Sequence, residues 1–366
     1  MPVTPVLSVP AVAWPQAISH AAVVDMVTAF YRDHPDASTS KEWRRRVDKG
    51  LALGANAGAA EHPLALAPEV VVKSRDFPTR NAEARTAFRQ WGVDAARAAL
   101  QQTGVPTIGI DAVLVANCTC VAMPGLAHDL IDALNLRRDV EVLTGGMVGC
   151  LGGAYAISAA ATYVRAHPGR RVLIVTADFA SPHLHLETEL TGADLIGAVL
   201  SACLFSDGAA AAVMSADCDA SGFAIHGGRS HTLPGTQDAV AWEVTRDGLA
   251  FRLGSAPSLI PQVAPSMRQT LSDQYWTPAD LSVCALHTGG PRVIDAARDE
   301  LGLSEHHVAP TREAMRRGNT MSVAVMDALH LIGTDARFRP APGARGIGAG
   351  FGPGFSAISF AWTYEP

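Results

Sequence analysis

A run rich in branched apolar residues (Val140, Val142, Leu143) passes through the closely spaced glycines of Gly145-Gly146-Met147-Val148-Gly149-Cys150-Leu151-Gly152-Gly153 into a long alanine-rich helical stretch. A strand, a glycine-relieved corner and a helix in that order build an α/β layer, and the corner can hold one side chain in a strained, exposed orientation. Cys150 sits at that corner. Amides at the start of the following helix favour an anion, so Cys150 is expected to be stabilised as a thiolate, the form that attacks acyl groups.

The same alternation continues along the chain. Val6 to Val12 reads as an opening strand. Ser19 caps an apolar-periodic helix that runs to about Arg32. Lys41 to Ala55 is a second helix, with Trp43, Val47 and Leu51 on one face and Arg45 and Lys49 together on another. Residues 56–78 read as a surface loop, and Thr79 to Thr103 as one long helix. Short strands are expected at Ile110 to Ala116, Val140 to Leu143 and Arg171 to Ala177, the last buried on both faces because its apolar run is unbroken. Helices are expected at Leu126 to Leu134, Cys150 to Ala166 and Leu195 to Leu204, with a strand Ala209 to Met214 closing the first half. The second half carries strands near Phe223 to Gly227, Ala239 to Phe251, Ser282 to His287, Gly346 to Ala349 and Ala357 to Trp362. Its helices are at Leu259 to Ser272, Arg292 to Leu301 and Asn319 to Ile332. Strands alternating with helices favour a mostly parallel sheet in each half, and a division into residues 1–216 and 217–366 is expected.

At 366 residues and 48% hydrophobic content the chain can bury a large core, while a net charge of -6 with 17% charged residues argues against nucleic acid as a partner. No charged-then-apolar leader and no apolar run of membrane-spanning length are present, so a soluble cytoplasmic protein without a membrane partner is expected. The six cysteines (Cys118, Cys120, Cys150, Cys203, Cys218, Cys284) are too sparse for a disulfide scaffold and read as thiols. Cys118 and Cys120 lack a second ligand pair nearby, so no metal site is expected.

Three further signals accompany Cys150. His287 ends a strand and precedes Thr288-Gly289-Gly290-Pro291, a turn expected to expose it. Asn319 follows Gly318 at the start of an apolar helix, and Gly350-Phe351-Gly352-Pro353-Gly354 joins two strands. Singly, each has a plainer account: a histidine after a strand is usually a structural hydrogen-bonder, an asparagine there is a helix cap, a glycine-proline loop is a turn and a lone cysteine is a small core residue. Together they place a nucleophile, a base and an oxyanion donor at strand-to-helix corners, where open α/β sheets carry their sites.

In order and spacing, Gly149-Cys150 with Gly152-Gly153, the His287 to Pro291 string, Gly318-Asn319 and the Gly350 to Gly354 loop resemble the type III polyketide synthases of the chalcone synthase family over nearly the whole chain. The resemblance implies a duplicated thiolase fold with five layers, αβαβα, working as a homodimer on acyl-CoA and malonyl-CoA, with no cofactor beyond these CoA thioester substrates. It assigns the nucleophile to Cys150, the histidine to His287 and the asparagine to Asn319. It also implies gate phenylalanines at Phe205 and Phe251 and CoA-phosphate contacts at Arg45, Lys49 and Arg292, with Glu42 replacing another such base. Met123 would enter the partner's cavity, and Met123-Pro124 would be a cis peptide. The chain departs from plant members at Trp242, where they carry glycine, and at Met321, where they carry serine, and both changes remove cavity volume. Cys118, His183 and Asp178 replace other cavity-lining or supporting residues. The implied activity is iterative condensation of malonyl-CoA onto a small starter on Cys150, then cyclisation to a compact aromatic or pyrone. Two alternatives remain: a ketoacyl synthase III-like enzyme making a single condensation with a carrier protein, and a non-catalytic acyl-binding protein of the same fold.

Overall fold

A computed structural model of the chain describes residues 3–73, 75–184, 186, 192–216, 221–253 and 256–366. Cys218 and Asp217, the first residue of the expected second half, lie outside the described residues.

The chain opens with β1 (Val6–Leu7), β2 (Ala11–Ala13), β3 (Ala17–Ser19), α1 (His20–Arg32), α2 (Asp36–Thr39), α3 (Lys41–Ala55), β4 (Glu61–Pro63) and α4 (Pro68–Val71). It continues through α5 (Phe77–Ala87), α6 (Val93–Thr103), β5 (Ala112–Asn117), α7 (Leu126–Leu134), β6 (Glu141–Gly146), α8 (Gly152–Ala166), β7 (Val172–Asp178), α9 (Gly192–Leu204) and β8 (Gly208–Ser215). Next come β9 (Gly222–Thr232), β10 (Val240–Val244), β11 (Leu249–Leu253), α10 (Ala256–Ser272), β12 (Leu281–Leu286) and α11 (Pro291–Leu301). The chain closes with α12 (Glu305–Met315), α13 (Ala324–Thr334), β13 (Arg345–Gly352) and β14 (Ser356–Glu365).

The main sheet runs β12-β13-β14-β9-β1-β8-β7-β5-β6, with β2 also on β8. Only β5 with β6, β5 with β7, and β12 with β13 pair in parallel among the described residues. The mostly parallel sheets expected from alternation are therefore corrected to mixed ones. The cause is visible at α9, which packs on α3 instead of running back along the sheet: a Cβ on Gly50 would meet Val199 at 2.7 Å, and one on Gly54 would meet Cys203 at 2.6 Å. Strand β8 thus starts where β7 finishes, Asp178 opposite Gly208, and the pair is antiparallel.

Period-two alternation sorts the strand residues into three cores. On β7, Val172 and Ile174 face a central layer holding α8 and α13, while Leu173, Val175 and Ala177 face an outer layer of α5, α6 and α7. On β14, Ile358, Phe360 and Trp362 face that same central layer, while Ala357 and Ala361 face outer helices α10 and α11. The result is the five-layered αβαβα arrangement. Local expectations also change: Val6 to Val12 holds β1 and the start of β2 in place of one strand, and Ala239 to Phe251 holds β10 and most of β11, an antiparallel hairpin, in place of one strand. Thr79 to Thr103 is two helices joined by a π turn at Phe88–Gly92, where the Phe88 ring occupies the space of a Cβ on Gly92. The loop 56–78 contains β4 and α4 and ends in the first residues of α5, and α12 forms where no helix was expected.

Candidate active site

Cys150 lies in a single 3-10 turn, Gly149–Leu151, between the end of β6 and α8. The strain is carried beside it, at Met147 (φ 61°) and Gly149 (φ 59°). Glycine is required at 149 for a second reason, since a Cβ there would lie 2.5 Å from the Pro353 ring of the 350–354 loop. The exposed orientation expected for Cys150 is corrected: the residue is only 7% exposed. Burial, aided by the nearby Asp178 charge, pushes its thiol up to about 12, against hydrogen bonds from Asn319 and from its own amide that favour the thiolate.

Asn319 is held by backbone on both sides. Its N–H donates to the Leu204 carbonyl at 2.8 Å, and its own carbonyl accepts from the Ser206 N–H at 3.0 Å. Its side-chain Oδ1 accepts from the Met321 N–H at 2.9 Å, in a turn where Met321 takes a φ of 51°. With the oxygen so occupied, the Nδ2 amide is the group left to donate to the Cys150 sulfur.

His287 is brought to the same end of the sheet by register. Its N–H donates to the Ala349 carbonyl at 2.9 Å, and at the next residue, Gly350, a Cβ would lie 3.4 Å from the Cys150 carbonyl oxygen. Thr288 donates to the Gly318 carbonyl at 3.4 Å and so ties this strand end to the Asn319 segment. The turn expected to expose His287 does not do so: the residue is 3% exposed, its Nδ1 has no hydrogen-bond partner, and burial lowers it to about 3. Removal from water thus disfavours the charged form of both side chains, against the thiolate expected at Cys150.

Asp178, fully buried at the end of β7, is the junction beneath these groups. Its Oδ1 accepts from the Cys118 N–H at 2.7 Å and the Thr119 hydroxyl at 3.0 Å, and its Oδ2 accepts from the Ser322 N–H at 3.1 Å. One carboxyl group thus joins the loop after β5 to the turn that carries Met321. Burial raises it, and these donors pull it back down. The sequence signal for this role is an aspartate closing an otherwise apolar strand.

Cys118, Cys150, Ala180, Phe205 and Met321 form one apolar cluster with Trp242 and Phe251 packed on it. Trp242 and Phe251 face each other across the β10–β11 hairpin and close on Phe205, with ring centroids 5.7 Å (Phe205–Trp242), 4.7 Å (Phe205–Phe251) and 5.1 Å (Trp242–Phe251) apart. Burial raises the Cys118 thiol well above its ordinary value, and a hydrogen bond from Trp242 opposes that shift. A cavity of about 110 Å3 adjoins the rings, lined among others by His183, Ser201, Phe205, Trp242 and Phe251, and Cys150 is not in its wall. His183 donates from Nε2 to the Thr119 carbonyl at 2.7 Å, and burial lowers it to about 4.

The remaining expected residues lie outside this cluster. Arg45, Lys49 and Arg292 are exposed. Pro291, beside Arg292, packs where a Cβ on Gly58 would lie 2.7 Å from its ring, which brings the start of α11 close to the chain just after α3. Glu42 is engaged by Arg46 at 2.9 Å. Met123 is 94% exposed, and the Met123–Pro124 peptide is cis. No cluster of metal-ligating side chains occurs among the described residues, and no helix there is long and apolar enough to cross a membrane.

Residues 12–218 match the family of chalcone and stilbene synthases, N-terminal domain, and residues 271–364 match the 3-oxoacyl-[acyl-carrier-protein] synthase III C-terminal family. The chain is similar to a phloroglucinol synthase of Pseudomonas fluorescens, 31% identical over 96% of this chain and 97% of that protein. It is also similar to a 1,3,6,8-tetrahydroxynaphthalene synthase of Streptomyces coelicolor, 26% identical over 95% of this chain and 89% of that one. The crystal structure of the tetrahydroxynaphthalene synthase from that organism superposes with a TM-score of 0.89 at 26% identity over 99% of both chains. Germicidin synthase from Streptomyces coelicolor, at 23% identity, shares the fold with a TM-score of 0.86 over 99% of this chain and 100% of that one.

Proposed function

Because this chain belongs to the chalcone and stilbene synthase family and is a type III polyketide synthase, an acyltransferase working on CoA thioesters, we propose that Cys150 is its nucleophile and that His287 and Asn319 stabilise the enolate it condenses. The observation that carries this reading is the fixed Asn319 amide, whose oxygen is held by the Met321 N–H so that its Nδ2 faces the Cys150 sulfur.

In the proposed cycle, thioester exchange moves the starter from CoA to Cys150. The Cys150 proton passes by way of neutral His287 to the departing CoA thiolate. Malonyl-CoA then loses CO2. The electron pair of the broken carbon–carbon bond moves onto the thioester oxygen, where N–H groups of Asn319 and His287 hold the enolate, each worth about 3 kcal/mol. The enolate carbon attacks the acyl-Cys150 thioester and Cys150 leaves as a thiolate. The lengthened chain returns to Cys150 by a second exchange, in which the CoA thiolate leaves and takes a proton.

The bulk that Trp242, Met321 and Cys118 place in one cluster with Cys150 supports a small or malonyl-derived starter, few extensions and a compact aromatic or pyrone product, with His183 in the wall of the adjoining cavity. The relatives named for phloroglucinol and tetrahydroxynaphthalene are in keeping with such products. Arg45, Lys49 and Arg292 would hold CoA phosphates. Residues 1–216 would form the half that presents the nucleophile, and residues 217–366 the half that presents His287 and Asn319. A homodimer would place Met123 in the partner's cavity. Its contact would include the sheet's end strand β6 and the exposed Val121, Val142 and Met147.

Incubating the protein with malonyl-CoA, alone and with a panel of acyl-CoAs, tests this reading by mass spectrometry of the products. Polyketides are expected without a carrier protein, and Cys150→Ala is expected to abolish them. Turnover only with an acyl carrier protein would favour the single-condensation alternative, and polyketide from Cys150→Ala would overturn the assignment of the nucleophile.

A further inference from the structure

Behind the Asn319 segment lies a buried polar chain that the proposed cycle does not use. His62, on β4, is fully buried, and its Nδ1 lies 2.7 Å from the Ser206 hydroxyl and 3.2 Å from the Phe205 carbonyl oxygen. A carbonyl only accepts, so Nδ1 carries the proton and Nε2 is the bare nitrogen. His20 completes the arrangement by donating from its Nδ1 to His62 Nε2 at 2.8 Å, with the two rings stacked 5.1 Å apart. Burial, with help from His20, lowers His62 to about 4, which keeps this neutral tautomer in place at physiological pH.

The chain ends directly against Asn319. Ser206 donates its backbone N–H to the Asn319 carbonyl, and Phe205 forms a parallel bridge with Asn319. Gly318 (φ 78°) is pressed between them: a Cβ there would lie 2.4 Å from the Ser206 hydroxyl oxygen and 2.9 Å from His62 Nδ1. The His62 imidazole therefore sets where residues 318–319 run, and through them where the Asn319 amide points.

We propose that His62 is a positioning residue for the Asn319 amide, acting through its Nδ1 hydrogen bonds to Ser206 and Phe205 while His20 fixes its tautomer. This rests on the reading of Asn319 as an enolate-stabilising donor. Loss of the Nδ1 bonds leaves the Ser206 hydroxyl and the Phe205 carbonyl unpaired in a buried site and frees the 318–319 backbone to shift. A shift of that kind weakens the step in which the carbon–carbon bond of malonyl-CoA breaks and its electron pair moves onto the thioester oxygen. Acyl exchange onto Cys150 depends on it less.

Two amide substitutions separate positioning from bulk stability. In His62→Asn the side-chain amide replaces Nδ1 and reaches Ser206, whereas in His62→Gln it replaces Nε2 and reaches only His20. Each keeps one of the two contacts, so a purely structural role moves thermal midpoint and activity together in both. The measurements are CO2 release from malonyl-CoA, and acylation of Cys150 by intact mass with whichever of acetyl-CoA or malonyl-CoA loads the wild type faster. The expected result is a loss of CO2 release of at least tenfold in His62→Gln, with Cys150 acylation within threefold of wild type and His62→Asn within threefold in both. Ser206→Ala, which removes the acceptor at the other end of the bond, is expected to show the same selective loss and serves if a His62 variant does not fold. Equal losses in the two amide variants, or acylation and CO2 release falling in step, overturn the positioning role. A wild-type protein that neither loads Cys150 nor releases CO2 would instead overturn the underlying reading of the site.

Discussion

Removal from water is the leading cause that disfavours the charged forms of Cys150 and His287, and it is removable. With the thiol pushed up to about 12, the thiolate fraction of the free enzyme rises about tenfold for each pH unit between 7 and 9, because the whole interval lies below the folded value. The rate of Cys150 alkylation by iodoacetamide is therefore expected to climb through this range without levelling, whereas a thiolate–imidazolium pair would give a plateau from near neutrality. Three aromatic rings pack in or on the cluster that holds Cys150, and Trp242 is the third of them. Trp242→Gly is expected to admit water, return the thiol toward its ordinary value and raise the alkylation rate at pH 7 by about tenfold. The same variant, given malonyl-CoA, is expected to make longer or larger products. An unchanged product spectrum would remove Trp242 from the control of cavity size.

Between elements, the site depends on how closely α8 approaches the turn before α13. A Cβ on Gly152 would lie 2.5 Å from Ser322 Cβ and 3.4 Å from Ser322 Cα, and Ser322 is the residue whose amide reaches Asp178. Gly152→Ala therefore drives one central helix away from the other, and a loss of about 1–3 kcal/mol is expected in chemical denaturation, as for other overpacked interiors. Activity should fall further than stability, because the displaced turn carries Met321, whose N–H holds the Asn319 amide. A Gly152→Ala protein with wild-type midpoint and turnover would show that this approach is not tight. The β10–β11 hairpin is the contrasting element. It pairs with no other strand among the described residues, so the rings it carries can move without breaking the main sheet.

For the whole molecule, the strand β6 ends the main sheet, and Met123, Met147 and Val142 lie exposed on or near it. Sedimentation of the wild type is expected to give a dimer, and Met123→Asp is expected to shift it toward monomer with loss of activity, since a charge would have to be buried in the contact; a monomeric wild type would remove the interface proposal. At this scale the division between what could be read and what could not is plain. The corner at Cys150, the helix Lys41–Ala55, the helix Leu126–Leu134 and the twice-buried strand at Val172–Asp178 were legible in the sequence, because glycine spacing and apolar periodicity are local properties of the chain. The motif strings also carried the family and its five-layered fold. Strand direction was not legible, because β8 turns back only where α9 finds α3. The burial of Cys150 and His287 was not legible either, since it is set by segments distant in sequence, for Cys150 among them the rings of Phe205, Trp242 and Phe251. The junction at Asp178 and the His20–His62–Ser206 chain join residues more than forty positions apart. By itself the sequence determined most of the long elements, the candidate site residues and, through the motif strings, the layering. Only the tertiary structure decided which of those residues meet, which way their hydrogen bonds point and how far from water they sit, because each depends on contacts between segments that local pattern does not connect.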